Sequence, residues 1–441
     1  MDTYDHYNVV LFILVLHGIG TLMPWNMFIN AQKYFECKLN ITDPQCNRVD
    51  HLSNETLTGM NLSYKEDFLS YLGVSAQVPN VLFNLLNIIF QFGGKNLTIS
   101  ITVAIAVEVV LFIMTIILAM VDSSGWPAEF FYITMATVVL INIANGVYQN
   151  SVYGLAAKLP MKYSNAVVLG SNISGAFTSV INIIAIALSP NLRVAAIYYF
   201  LAALLILLAC FDTYFALPLN KFFRHYCLQN EDAIAMTGEE ANEETEIKTV
   251  NNRPNLSLYW FVFKKISVQC FNVFMVFFVT LSIFPAVHAN IKPIDVNFFG
   301  DQPTTDKYFT AVNCFLVFNI SAMIGNIFPN WFRIPSPKYL WIPVVLRVLL
   351  IPFFLFCNYH PELRQWPVII QNDFIFILGG IVLGLSSGYY SSLCMMYAPR
   401  CVPPEHAATA GMMAAASLVI GIFGGVNFSF VLSWAVKQNW F

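Results

Sequence analysis

Charge is what this chain lacks. Only 22 of its 441 residues are Lys or Arg and 25 are Asp or Glu, so 11% are charged against 57% hydrophobic. Mean hydropathy is +0.63, which a water-soluble chain of this length does not show. The net charge of -3 is too small to draw a nucleic acid, so none is expected as a partner. Histidine and cysteine are sparse, at seven and nine, and no group of them has zinc spacing; no metal and no cofactor are expected. No Ser-His-Asp order, carboxylate pair or phosphate-cradling glycine loop occurs, which excludes an assignable enzyme chemistry. The first apolar run is too long for a signal-peptide core and has no basic flank, so it reads as a retained membrane span.

What the chain has in abundance is apolar runs long enough to cross a bilayer core. Eleven are expected, at 8–34, 68–92, 97–121, 129–157, 163–188, 194–217, 266–289, 308–332, 339–357, 374–397 and 406–436. The fold class this predicts is an all-α polytopic membrane protein in the lipid bilayer. Its parts would be a six-helix half at 1–219, a partly disordered linker at 220–265 and a five-helix half at 266–441. The linker opens basic at Lys221 and Arg224, then turns acidic through Glu239, Glu240, Glu243 and Glu244, with few aromatics to anchor it.

Basic residues set the expected orientation. Lys158, Lys162, Lys264, Lys265, Arg333, Lys338 and Arg400 fall in even-to-odd connections, whereas the short odd-to-even ones carry only Arg193, Lys292, Lys307 and Arg364. The positive-inside rule then puts the N-terminus in the cytoplasm and the C-terminus outside. The first connection, 36–67, is thereby extracellular. It carries three glycosylation sequons, at Asn40, Asn54 and Asn61, and two cysteines, Cys37 and Cys46, that an oxidising compartment could join. A glycosylated external loop fits the plasma membrane. No segment calls for an obligate protein partner.

Polar residues inside spans are costly in lipid unless they face the bundle or a wet path. Gln77, Asn80, Asn84 and Asn87 line one face of the second span, and Asn142, Asn145, Gln149 and Tyr153 recur in the fourth. The fifth has Asn172, Gly175 and Ser179; the eighth Asn319, Asn326 and Asn330; the tenth Ser386 to Tyr390. Each stripe alone is accounted for by interhelical hydrogen bonding. Five stripes across both halves point to a cavity of uncharged donors and acceptors, suited to a neutral polyhydroxylated or heteroaromatic solute. Ionisable groups well inside spans are few, and three bear on function. Glu108 is a coupling or charge site, or a buried protonated acid; Arg347 reads as a strut or gate element, and His17 as a hydrogen-bonded packing residue.

The first span has its own motif, Gly18-Ile19-Gly20-Thr21-Leu22-Met23-Pro24-Trp25-Asn26. Small residues let another helix approach, Pro24 frees a carbonyl, and Leu22, Trp25 and Ile29 share a face. That face is either a floor for a planar solute or a packing surface. Further motifs follow in order: Gln149-x-Ser151-x-Tyr153-Gly154-Leu155-Ala156, Phe284-Pro285-Ala286-Val287, Phe318-Asn319, Arg347-x4-Pro352, Ser387-Gly388-Tyr389 and Ala410-Gly411.

In that order and spacing the motifs resemble those of equilibrative nucleoside transporters over nearly the whole chain. The resemblance implies a major-facilitator-like arrangement of eleven helices, six plus five. It also implies facilitated, sodium-independent transport of nucleosides, and of nucleobases too, by alternating access at a midplane site. By motif position the substrate would meet Leu22, Trp25, Asn26 and Ile29; Gln149 would read the base, and Phe284 and Phe315 would form an aromatic wall. The family carries an Asp and, four residues on, an Arg after its Phe-Asn pair, to hold the ribose. Here Ala322 and Asn326 stand in those places. Asn326, helped by Gln77 and Asn80, is expected to take over part of the hydroxyl bonding. Two alternatives stand beside this: a proton-coupled or organic-cation carrier using Glu108, and a non-transporting receptor or scaffold.

Overall fold

The computed structural model describes residues 4–31, 34, 35, 38, 68–90, 97–121, 123, 126–188, 192–226 and 256–438. The three sequons, Cys37 and Cys46 lie outside them, as does most of the expected linker. The chain is helical almost throughout. Lipid offers a peptide group no hydrogen-bond partner, and a helix satisfies its own.

Six helices come first: α1 (Val9–Asn30), α2 (Phe68–Phe90), α3 (Leu97–Met120), α4 (Pro127–Ala157), α5 (Met161–Leu188) and α6 (Leu192–Ala216). Five follow: α7 (Leu256–Ile283), α8 (Gln302–Asn330), α9 (Trp341–Leu355), α10 (Asp373–Tyr397) and α11 (Ala407–Val436). Among the described residues, ten of these are long and apolar enough to cross a membrane, and α9 is shorter. The run expected at 339–357 is interrupted: Arg347–Leu349 is a 3-10 turn, with Pro343 and Pro352 each removing a backbone donor on either side.

Two boundaries depart from the sequence expectation. α7 starts at Leu256, ten residues into what was assigned to the linker, because Lys264 and Lys265 lie over the rings of Trp260 and Phe261 at 5.3 and 5.9 Å. These i,i+4 pairs cover the aromatic stripe with cations and prolong the helix. α8 is the other. Its Thr310–Leu316 segment is π-helical between two α-helical stretches. The helix opens on Asp301, whose carboxylate accepts the Thr304 N–H at 2.7 Å and is thereby held below the usual carboxylate range.

α1 packs along α5 at backbone distance. A Cβ added to Gly18 would sit 2.2 Å from the Val167 carbonyl oxygen, and one on Gly170 would sit 2.0 Å from that of Val15. Only glycine permits that crossing, the membrane counterpart of small-residue packing. α7 pairs in the same intimate way with α11, α8 with α10, and α2 with α4. The first six helices meet the last five along two seams, α5 against α8 and α10, and α11 against α2 and α4.

The apolar cores are arranged unequally. Met23, Phe28, Phe112, Phe130 and Phe200 belong to a core built from the first six helices alone. Val279, Phe309, Phe354 and Phe376 belong to one built from the last five. A third core is shared, joining Leu14, Tyr148, Tyr163 and Val167 to Val276, Leu393 and Ala415. Most of its residues come from the starts of odd-numbered helices and the ends of even-numbered ones, with Val273 and Val276 just past the midpoint of α7, so one end of the bundle is fused and the other is divided. Gly170→Val should cost on the order of 1–3 kcal/mol or more through overpacking of the α1–α5 crossing. The readout is a lower melting temperature in detergent, with wild-type behaviour retained by Gly73→Ala, where a Cβ meets nothing within 4 Å.

Candidate functional site

On α1, Leu22, Trp25 and Asn26 are half-buried, and the Ile29 side chain lies outside the described residues. The Asn26 Nδ2 donates to Ser174 Oγ on α5 at 3.1 Å. Thr21 donates to the Gly18 carbonyl at 2.8 Å, and so does Ser171 at 3.2 Å, so the hydroxyls around the crossing are consumed by backbone. One edge of Trp25 rests on the first-half core.

The aromatic wall is larger than expected. Phe284, which follows the end of α7, stacks on Phe318 of α8 with centroids 4.0 Å apart and planes 17° from parallel. It meets Phe315 edge to face at 5.5 Å and 74°. Phe318 was quoted in the sequence only as part of a motif. Its spacing of three from Phe315 was the signal that both rings project from one side of α8. The π-helical turn that ends at Leu316 re-aims this stretch, a common device at functional sites.

The amides divide into two populations. Asn150 Nδ2 donates to Asn84 Oδ1 and to the Met412 carbonyl, each at 2.9 Å, while Asn87 Nδ2 donates to Asn150 Oδ1 and Ser151 Oγ, each at 3.0 Å. That cluster pins α2, α4 and α11 together, and for Asn84 and Asn87 packing is the role. Gln77, Asn80 and Gln149 are different. Among the described residues none of their side-chain amides has a protein hydrogen-bond partner. Gln149 is 3% exposed and Asn80 8%, and they sit within a helical turn of the contact between Gly146 and the Asn80 backbone. A buried amide with spare donors and acceptors is poised for a ligand.

Asn326 is placed elsewhere. It is fully buried; its Nδ2 donates to the Val168 carbonyl at 3.3 Å and its Oδ1 accepts from Ser392 Oγ at 2.7 Å. Asn165 of α5 donates to the Asn326 carbonyl at 2.9 Å and to Asn330 Oδ1 at 3.2 Å. Both ends of the Asn326 amide are therefore engaged in joining α5, α8 and α10, and the residue is fully buried within that packing. Ala322 is 1% exposed and lies against Gly384 and Gly388 of α10, inside the same packing.

The ionisable groups stand behind the site. Glu108 on α3 is fully buried with neither oxygen hydrogen-bonded, in electrostatic range of Tyr148 and Cys210. His17 Nδ1 meets the Tyr148 hydroxyl at 2.8 Å. Arg347 is 4% exposed. It donates to Ser386 Oγ at 2.9 Å, to the Val276 carbonyl at 2.8 Å and to Thr280 Oγ1 at 2.7 Å, clamping α9 onto α7 and α10. Thr280 in turn bonds Ser387 Oγ at 3.1 Å. Among the described residues no group of His, Cys, Asp and Glu could hold a metal ion.

Apolar helices meeting along two seams, with aromatic and amide groups between them, define a polytopic membrane protein of major-facilitator architecture. Solved structures of that architecture superpose on nearly the whole chain. A double-tryptophan variant of XylE does so with a TM-score of 0.62 at 12% identity, covering 98% of this chain and 90% of its own. The human organic anion transporter MFSD10 gives 0.54 at 11%, covering 99% and 95%. Likeness at such identity concerns the fold alone. The sequence is more specific. Residues 135–434 match the family described as Nucleoside transporter. Equilibrative nucleoside transporter 1 of Homo sapiens is 31% identical over 453 residues, covering 97% of this chain and 97% of that protein. Equilibrative nucleoside transporter 3 of Rattus norvegicus is 30% identical over 431 residues, covering 96% and 88%. The chain belongs to the equilibrative nucleoside transporter family.

Replacing Asn326 by Leu keeps the branched outline of the side chain but removes its bonds to the Val168 carbonyl and the Ser392 hydroxyl. Each stranded group costs roughly 1–3 kcal/mol, so a clear fall in melting temperature is expected. Asn84→Leu should fall likewise, and Gln77→Leu, with no protein partner to strand, should not.

Proposed function

We propose that the protein carries nucleosides, and nucleobases with them, across the plasma membrane by sodium-independent facilitated diffusion. The single observation that carries this reading is the uncommitted Gln149 amide, buried in a chain of this family whose kinked α1 presents Trp25 and whose α7 and α8 present Phe284, Phe315 and Phe318. Flat rings bind a purine or pyrimidine face, and an amide with both a donor and an acceptor reads its edge. Gln77 and Asn80 supply further neutral donors and acceptors for the sugar hydroxyls. Asn326 acts as a tie between α5, α8 and α10, not as a sugar ligand. Neutral hydrogen bonds are weaker than charge-assisted ones, so binding is weak and the range of sugars broad. No bond in the solute is made or broken.

Transport runs by alternating access of two halves, 1–219 and 266–441, joined by a cytoplasmic segment. With α9 counted as a span there are eleven, the N-terminus in the cytoplasm and the C-terminus outside. The fused core then closes the cytoplasmic side, and the divided cores face outward. The loop at 36–67 is external, glycosylated and cross-linked by Cys37 and Cys46. Glu108 is a buried packing residue, and uptake does not depend on a proton gradient.

Uptake of radiolabelled uridine, adenosine and hypoxanthine into proteoliposomes, with and without sodium, tests this. Saturable uptake unchanged by sodium is expected. Gln149→Ala should raise KM about tenfold, equal to about 1.4 kcal/mol of a lost hydrogen bond, and Trp25→Ala at least as much. Trp25→Ala and Gln149→Ala variants that carried all three solutes at wild-type KM would overturn the site.

A further inference from the structure

We propose that Ser174 and Ser179 of α5 are positioning residues for transport, each holding an amide that flanks one wall of the site. The inference rests on the nucleoside-carrier reading above. α5 is the helix that touches both walls. It packs along α1 of the first six helices and along α8 of the last five.

Ser174 is fully buried and accepts from Asn26 Nδ2 at 3.1 Å; Asn26 is the residue after Trp25. Ser179 is 4% exposed and accepts from Asn319 Nδ2 at 3.0 Å; Asn319 is the residue after Phe318. The second Asn319 N–H goes to the Phe315 carbonyl at 3.0 Å, so one hydrogen of that amide ties it to α5 and the other to its own wall. The serine hydroxyl hydrogen is also committed: Ser179 donates to the Gly175 carbonyl at 2.8 Å, which leaves its oxygen as a fixed acceptor. Gly175 completes the slot. A Cβ there would lie 2.3 Å from Asn319 Oδ1, so the amide is seated directly on the α5 backbone.

Residues 174 and 175 point about 100° apart on a helix, and 179 returns to the side of 175. One face of α5 therefore grips Asn26 and the adjacent face grips Asn319. Trp25 and the Phe315–Phe318 pair are held in register through the six residues 174–179 of one helix. Losing either hydroxyl removes one of the bonds that seat its amide and lets its wall drift, which weakens binding without unfolding the bundle.

The test is uridine uptake kinetics in proteoliposomes, with the melting temperature and reconstituted amount of each variant measured alongside. Ser174→Ala and Ser179→Ala should each raise KM roughly three- to tenfold at unchanged melting temperature. Ser179→Thr, which keeps the acceptor, should restore wild-type KM. If an Ala variant fails to fold, the cysteine variant, which keeps the volume but accepts weakly, carries the same expected rise. Unchanged KM in the folded variants, or a loss of Vmax that follows the loss of folded protein at constant KM, overturns the positioning role. Wild-type protein without saturable nucleoside uptake overturns the function on which it rests. Wild-type uptake beside unaffected serine variants overturns this inference alone.

Discussion

Water is absent from the lipid core, and the need to give every buried amide a partner organises this molecule. Backbone amides meet it by forming helices. Side-chain amides meet it in two ways. Asn84, Asn87 and Asn150 bond one another and the Met412 carbonyl, and Asn165 and Asn326 tie α5 to α8. Once those ties are made, Gln149, Asn80 and Gln77 are among the described amides left without a protein partner, beside single unpaired atoms on Asn145, Asn272 and Asn313.

Glycine makes the ties reachable. A carbonyl on one helix can accept from a neighbour only if the two axes come close, and Gly18 with Gly170 brings α1 against α5 at backbone contact. α5 then has on one side the helix of Trp25 and on the other the helix of Phe315 and Phe318. The same helix bears the Asn165 tie near its start and the Ser179 contact two-thirds of the way along. Its polar residues are spread over its length because it is the seam between two sets of helices that must stay joined while they tilt.

Much of this was legible in the sequence. Apolar length and proline spacing located the described helices to within a few residues except at α8, which starts earlier than expected, and at α7, where cation–aromatic pairs extended the helix into the basic flank of the linker. The helix 1 motif, Gln149 and Phe284 could be placed from motif order alone. What could not be read was which asparagines were free, since an amide that binds a solute and one that binds a neighbouring carbonyl have the same side chain and the same periodicity. Asn326 is the instructive case. Its position in the motif points to a sugar ligand, whereas three contacts from two other helices occupy it. The π-helical turn in α8 was equally hidden, because nothing in Thr310–Leu316 distinguishes one hydrogen-bond register from another. α9 gave the opposite difficulty, a hydrophobic run that a buried guanidinium and two prolines shorten.

The fused core has a thermal meaning. Opening that end would part Leu14, Tyr148 and Val167 from Val276, Leu393 and Ala415, and newly wetted apolar surface raises heat capacity. Closing the divided end would bury surface of the same kind. If the two areas differ, the step between the two states carries a net heat-capacity change, and its enthalpy drifts with temperature. The balance between the two faces of such a carrier is then set partly by how warm the membrane is, through the solvent at its two ends and not through any contact with the solute.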